Sequence, residues 1–237
     1  MNTFRHSTHS AHPTHQVRVP AGAAIINADL TVPIEARGLV LFAHGSGSSR
    51  FSQRNRWVAS EFHDDRLATL LVDLLTDEEA SRDQPTGELR FDIPLLARRV
   101  VNAIDWVVRE PATGAFPIGL FGASTGAAAA LFAAASRPRH IRAVVSRGGR
   151  ADLAESALPL VKAPTLLIVG ENDPDVVALN RAALAQLKCD RVLEIVPGAS
   201  HLFEEPGKLE AVAALARQWF VKHLDHAGMA NVAGVGW

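Results

Sequence analysis

Gly122-Ala123-Ser124-Thr125-Gly126 sets one serine between two glycines, where an apolar run, Ile118 to Phe121, meets an alanine-rich run, Ala127 to Ala135. The first run reads as a buried strand and the second has strong helix propensity, so the order is strand, tight turn, helix. A serine at the tip of such a turn takes a strained backbone conformation that only small neighbours two residues to either side tolerate. Its hydroxyl is lifted off the sheet edge to the positive end of the following helix. A nucleophile fits that place. To work as one it needs a base, an acid to orient the base, and amide donors for an oxyanion.

Each of these has a candidate further along the chain. Arg191 to Val196 reads as a last short strand, and the loop after it, Pro197-Gly198-Ala199-Ser200-His201, carries the histidine expected as base. Pro164 to Val169 is another apolar strand and ends in Gly170-Glu171-Asn172-Asp173-Pro174-Asp175. An acid at the carboxyl end of a strand faces the crevice where ligands collect in parallel sheets, which makes Asp173 the orienting acid. The competing role for Asp173, equally open to Asp175, is to cap the helix that starts near Val176. Gly38 to Ala43, a continuous apolar run, leads into His44-Gly45-Ser46-Gly47-Ser48-Ser49. The small residues there let amides point into a cleft. Ser46 is the expected first oxyanion donor, with Gly45 and Gly47 as neighbouring alternatives, and Thr125, just after the nucleophile, is the second. His44 is expected to brace this loop, because the base follows the acid in the order Ser, Asp, His.

The elements that must position these residues alternate between strand and helix. Val17 to Val19 and Ala24 to Val32 read as a hairpin, Leu67 to Leu75 as a buried strand ending beside Asp73, and Ile141 to Val145 as the strand after the elbow helix. Helices are expected over Trp57 to His63, Phe91 to Arg109 and Leu209 to Leu224, the second with Leu95, Leu96, Val100, Ile104 and Val107 at helical spacing. Thr76 to Arg90 is polar, contains Pro85 and Gly87, and is expected as a long surface loop at the cleft edge. The stretch between Val145 and Pro164 is too short for a lid domain, so the site should be open. One domain is expected over residues 17–224. Residues 1–16, with His6, His9, His12 and His15 at every third position, should form a disordered tail, and 225–237 a flexible one.

The 237 residues include 24 basic and 25 acidic side chains, so bulk charge gives no case for nucleic acid or an anionic membrane. A single cysteine, Cys189, excludes an internal disulfide and a cysteine-based metal cluster. No apolar run approaches about 18 residues and no apolar signal core opens the chain, so a soluble cytoplasmic protein is expected.

Together, His44-Gly45-Ser46-Gly47, Gly122-Ala123-Ser124-Thr125-Gly126, Gly170 with Asp173, and Gly198-Ala199-Ser200-His201 resemble the α/β-hydrolase superfamily. In its compact size and lack of a lid the chain is similar to the dienelactone-hydrolase-like branch. The resemblance covers residues 17–224 and implies a mostly parallel central sheet with helices on both faces. Dienelactone hydrolases proper use a cysteine nucleophile, whereas the elbow here holds Ser124. Serine-bearing relatives are commonly esterases, so the resemblance implies a carboxylesterase-like hydrolase acting on a small ester or lactone with a Ser124, Asp173 and His201 triad. Neither metal nor organic cofactor is required, and a homodimer is compatible with the sequence. Arg50, Arg54 and Arg147 fall near the expected cleft and could hold a carboxylate. The alternative is that they pair with acidic residues in the loop from Asp77 to Asp92 and merely fix it. Two other functions fit the same fold: perhydrolase or haloperoxidase-like acyl transfer to peroxide, and a non-catalytic binding protein.

Overall fold

The structure, a computed structural model, describes residues 12–225. Eight strands form one sheet in the order β1-β2-β4-β3-β5-β6-β7-β8. β1 (Thr14–Ala21) and β2 (Ala24–Thr31) form the expected hairpin, and β2 pairs antiparallel with β4 (Leu67–Val72). From β4 onward every pairing is parallel, through β3 (Gly38–Ala43), β5 (Ile118–Ala123), β6 (Ile141–Arg147), β7 (Thr165–Gly170) and β8 (Arg191–Val196). β3, β4, β5 and β7 are buried along their whole length, which is why each reads as an unbroken apolar run.

Helices α1 (Gln53–His63) and α6 (Lys208–Leu224) cover one face of the sheet, where Phe62 and Phe220 pack with Phe42 and Phe121. Helices α3 (Ile93–Arg109), α4 (Thr125–Ser136) and α5 (Pro174–Gln186) cover the other. The chain is therefore an α/β hydrolase fold with helices on both faces, as expected. Between β6 and β7 it makes only two short 3-10 turns, Ala151–Ala154 and Leu158–Leu160, and no inserted domain.

Two expectations need correction. The loop assigned to Thr76–Arg90 contains a helix, α2 (Asp77–Asp83). Thr76 accepts from the Glu79 N–H while Glu79 accepts from the Thr76 N–H, a capping box legible as Thr-x-x-Glu and overridden by the polarity of the segment. The fold also starts earlier than residue 17. Thr14, His15 and Gln16 pair with Thr31, Leu30 and Asp29, so they belong to the sheet and not to a tail. They form an exposed edge with no apolar alternation, which removes the signal on which a strand is recognised. His12 stacks edge-on to His63 with ring centroids 5.6 Å apart, while His6 and His9 lie outside the described residues, as does the tail expected beyond residue 225. Among the described residues no cluster of three or more histidine, cysteine or acidic side chains could hold a metal, and no helix is long and apolar enough to cross a membrane.

Close packing at the elbow yields a test. A Cβ on Gly126 would fall inside van der Waals contact of the Ala43 and His44 carbonyl oxygens, and one on Gly122 would meet the Ala127 backbone. Backbone cannot give way as a side chain would. Gly126→Ala is expected to destabilise the fold by at least about 2–3 kcal/mol, measured by urea denaturation, because β3 must be pushed from α4.

Candidate active site

Ser124 sits at the β5 to α4 turn with φ 50° and ψ −121°, one of few non-glycine residues with positive φ. Such strain persists only where the surroundings over-determine it. Here the Ser124 N–H donates to the Arg147 carbonyl at 3.2 Å, and the Ser124 carbonyl accepts from the Ala127 and Arg150 N–H groups at 3.1 and 3.0 Å. Its side chain makes no capping bond to α4, which leaves the hydroxyl directed to the cleft.

His201 and Asp173 come together from loops after β8 and β7. His201 Nδ1 lies 2.6 Å from Asp173 Oδ2. Asp173 occupies the N-cap position of α5, yet no side-chain cap bond forms, so the choice between capping and orienting the histidine is resolved geometrically for the histidine. The two loops are fastened to each other. Asn172 N–H donates to the Ala199 carbonyl at 2.9 Å and Gly198 N–H to Glu171 Oε2 at 2.7 Å, while within the His201 loop Ser200 N–H donates to the Glu205 carboxylate at 3.1 Å. Glu171 and Glu205 were missed from sequence because their work is to hold backbone, which leaves no spacing pattern. The Ser200 N–H holds the Glu205 carboxyl below its ordinary pKa.

The loop after β3, expected to supply the first oxyanion donor, approaches next. Gly45 has no side chain where a Cβ would lie 3.0 Å from Ser124 Cβ, so the loop can close on Ser124. His44 is buried and braces it as expected: Nε2 accepts from the Leu74 N–H at 3.1 Å, which leaves the proton on Nδ1 to donate to the Gly45 carbonyl at 2.8 Å. Burial pushes its pKa down, against smaller upward contributions from Gly45 and Asp73. Because the folded pKa lies below the ordinary 6.5, the contribution of neutral His44 to stability is fully present above pH 6.5 and declines as pH falls below it. A stability profile from pH 8 to 5 is expected to fall on the acid side more steeply for the wild type than for His44→Gln. Thr125 begins α4, where first-turn N–H groups have no intrahelical partner.

Ser124, His201, Ala123, Gly45, Ser46 and Leu202 line one cavity of about 250 Å³. No hydrogen bond joins the Ser124 and His201 side chains; bonds of this kind commonly tighten only around a bound substrate.

The three arginines separate. Arg50 bonds Asp73 through its guanidinium and backbone N–H, and reaches Asp29 at 3.3 Å. It lines a different cavity and is removed from the substrate candidates: two aspartates near strand ends neutralise it, one from β2 and one just after β4. Arg54 and Arg147 do line the Ser124 cavity. Neither pairs with the segment from Asp77 to Asp92, as the alternative required. Arg54 meets Glu204 at 3.3 Å, and Arg147 has no carboxylate partner among the described residues. Asn55, in α1, also lines the cavity while only 3% exposed. The signal that could have found it is its helical spacing to the buried Val58, Ala59 and Phe62.

A sequence model described as the dienelactone hydrolase family matches residues 74–226. A crystal structure of dienelactone hydrolase from Anabaena variabilis is 57% identical, covers 90% of this chain and 99% of its own, and superposes with a TM-score of 0.89. Est1E from Butyrivibrio proteoclasticus shares the fold, with a TM-score of 0.75 at 15% identity over 88% of this chain and 98% of its own. A protein of Mycobacterium tuberculosis named as a phosphoribosyl transferase is 53% identical over 213 residues, which is 90% of this chain and 47% of that protein. The chain thus spans about half the length of the curated relatives it matches.

Proposed function

The chain belongs to the dienelactone hydrolase family, and from that premise we propose that it is a serine hydrolase cleaving a small carboxylic ester or lactone through an acyl-enzyme on Ser124. One observation carries the reading: the His201 to Asp173 bond of 2.6 Å opens into the same cavity as a serine held at φ 50° on a strand-to-helix turn.

His201 Nε2 takes the Ser124 proton as Oγ attacks the ester carbonyl carbon. Asp173, accepting from Nδ1–H, holds the ring in the tautomer whose Nε2 has a free lone pair and stabilises the imidazolium that forms. The carbonyl oxygen becomes an oxyanion facing the Ser46 and Thr125 amides, donors in place before the charge develops. His201 then returns its proton to the departing alkoxide. Water, deprotonated by the same nitrogen, attacks the acyl carbon and releases the acid and Ser124. A lactone follows the same course with the alcohol left tethered to the acyl group, in keeping with the name of the Anabaena relative. Phosphoribosyl transfer, the name of the tuberculosis relatives, belongs to proteins twice the span of this chain, and we assign hydrolysis to the half represented here.

Partitioning tests the mechanism. With methanol present, acetate esters of different alcohols should all give the same ratio of methyl acetate to acetate, because they share one acetyl-enzyme. A ratio that changes with the leaving alcohol contradicts a common intermediate.

A further inference from the structure

The cavity beside Ser124 contains a cation that the protein leaves without a counter-ion. Arg147 is 8% exposed, its Nε is buried without a hydrogen-bond partner, and no carboxylate among the described residues pairs with it. Burial, with a smaller push from the Arg54 charge, lowers its pKa to about 10. Arg99, the other arginine buried to this degree among the described residues, is neutralised by Glu79, and the more exposed Arg50, Arg56, Arg90 and Arg137 also meet carboxylates. Buried charges are costly unless paired. Of the two arginines buried to this degree, the one without a carboxylate lies in the pocket that holds the nucleophile. Asn55, in the same pocket and 3% exposed, makes no side-chain hydrogen bond among the described residues, so its NH2 is free to donate to an anion there, while its buried Oδ1 can only accept. Arg54 brings a second guanidinium whose one carboxylate contact, Glu204 at 3.3 Å, comes from a side chain more than half exposed.

We propose that Arg147, Arg54 and Asn55 form a subsite for a phosphoryl group, so that the esters cleaved at Ser124 also carry a phosphate monoester. The proposal rests on the serine hydrolase reading for its chemistry and on the unpaired guanidinium for its specificity. A carboxylate has two oxygens and one charge, which a single guanidinium fork satisfies. This pocket offers two forks and an amide. A phosphoryl group has three acceptor oxygens and close to two negative charges at neutral pH, enough to meet both cations at once. The planar fork of arginine matches phosphate geometry, and low local polarity strengthens each bond. The phosphate is not the reacting group: it anchors the substrate while the carboxylic ester lies against Ser124.

Calorimetry with inorganic phosphate on the folded Ser124→Ala protein reads the subsite without turnover. Phosphate is expected to bind and to raise the thermal midpoint, and succinate to bind at least about tenfold more weakly. Arg147→Met, which keeps the volume and removes the charge, should weaken phosphate by about a hundredfold, and Arg147→Lys, which keeps the charge and loses the fork, by about tenfold. Asn55→Asp places a carboxylate in the cavity and should both raise the thermal midpoint and abolish phosphate binding. Absence of phosphate binding, or equal binding by wild type, Arg147→Met and Arg147→Lys, overturns the subsite. Succinate binding as tightly as phosphate overturns the phosphoryl assignment. Lost phosphate binding with Ser124 still reactive toward a serine probe defeats this proposal alone, whereas intact phosphate binding with an unreactive Ser124 defeats the hydrolase reading alone.

Discussion

Ser124→Ala is expected to lower kcat for ester hydrolysis by about a millionfold, to the background left by the oxyanion donors and substrate binding. The loss should be chemical and not structural. The Ser124 side chain makes no capping bond, and its backbone bonds to Arg147, Ala127 and Arg150 use main-chain atoms that alanine retains. Alanine has the same conformational cost at φ 50° as serine, so the unfolding free energy should stay within about 0.5 kcal/mol of the wild type. KM is uninformative at such residual rates, and the measurement is kcat by product formation at saturating ester, beside urea denaturation of both proteins. A variant that hydrolyses esters within tenfold of wild type would place the nucleophile elsewhere.

Asp173→Asn tests the second arm of the mechanism and should lower kcat by about ten-thousandfold at neutral pH. Asparagine can turn its NH2 toward His201 Nδ1. The ring then carries its proton on Nε2 and has no lone pair for the Ser124 hydroxyl. Asp173 makes no side-chain cap to α5, so the helix does not depend on the carboxylate and the variant should fold. If Asp173 acted only as a helix-cap residue, the variant would keep its rate and lose stability instead, the opposite pairing of results. Asp175, the other acid of this turn, lies within the first turn of α5, and its removal should change the rate little.

The parts of this site that are legible in the sequence are those whose signal is local. Gly122 and Gly126 announce the elbow because a Cβ at either position would strike backbone. The order of Ser124, Asp173 and His201 follows from reading each at the carboxyl end of an apolar run, since parallel strands bring their carboxyl ends together. What escapes is long-range. Arg54 finds Glu204 at a separation of 150 residues, and Arg50 finds Asp29 on a strand whose place beside β4 no local spacing reveals. Asn55 lies one turn before Val58 and Ala59 on the buried stripe of α1 that continues to Phe62, and only its polar type hides it when apolar residues alone are counted. The edge strand from Thr14 escapes for a different reason: one exposed edge needs no apolar residues, so composition matches that of a tail. The helix from Asp77 was legible in its capping box and was masked by charge.

The central claim is that Ser124 is an activated nucleophile whose activation depends on His201. Labelling with a fluorophosphonate serine probe, followed by mass spectrometry of the modified peptide, tests it without any choice of substrate. The account predicts label on Ser124 alone in the wild-type protein and none in folded His201→Ala. Label that persists at wild-type rate in His201→Ala, or a folded wild-type protein that takes none, would contradict it.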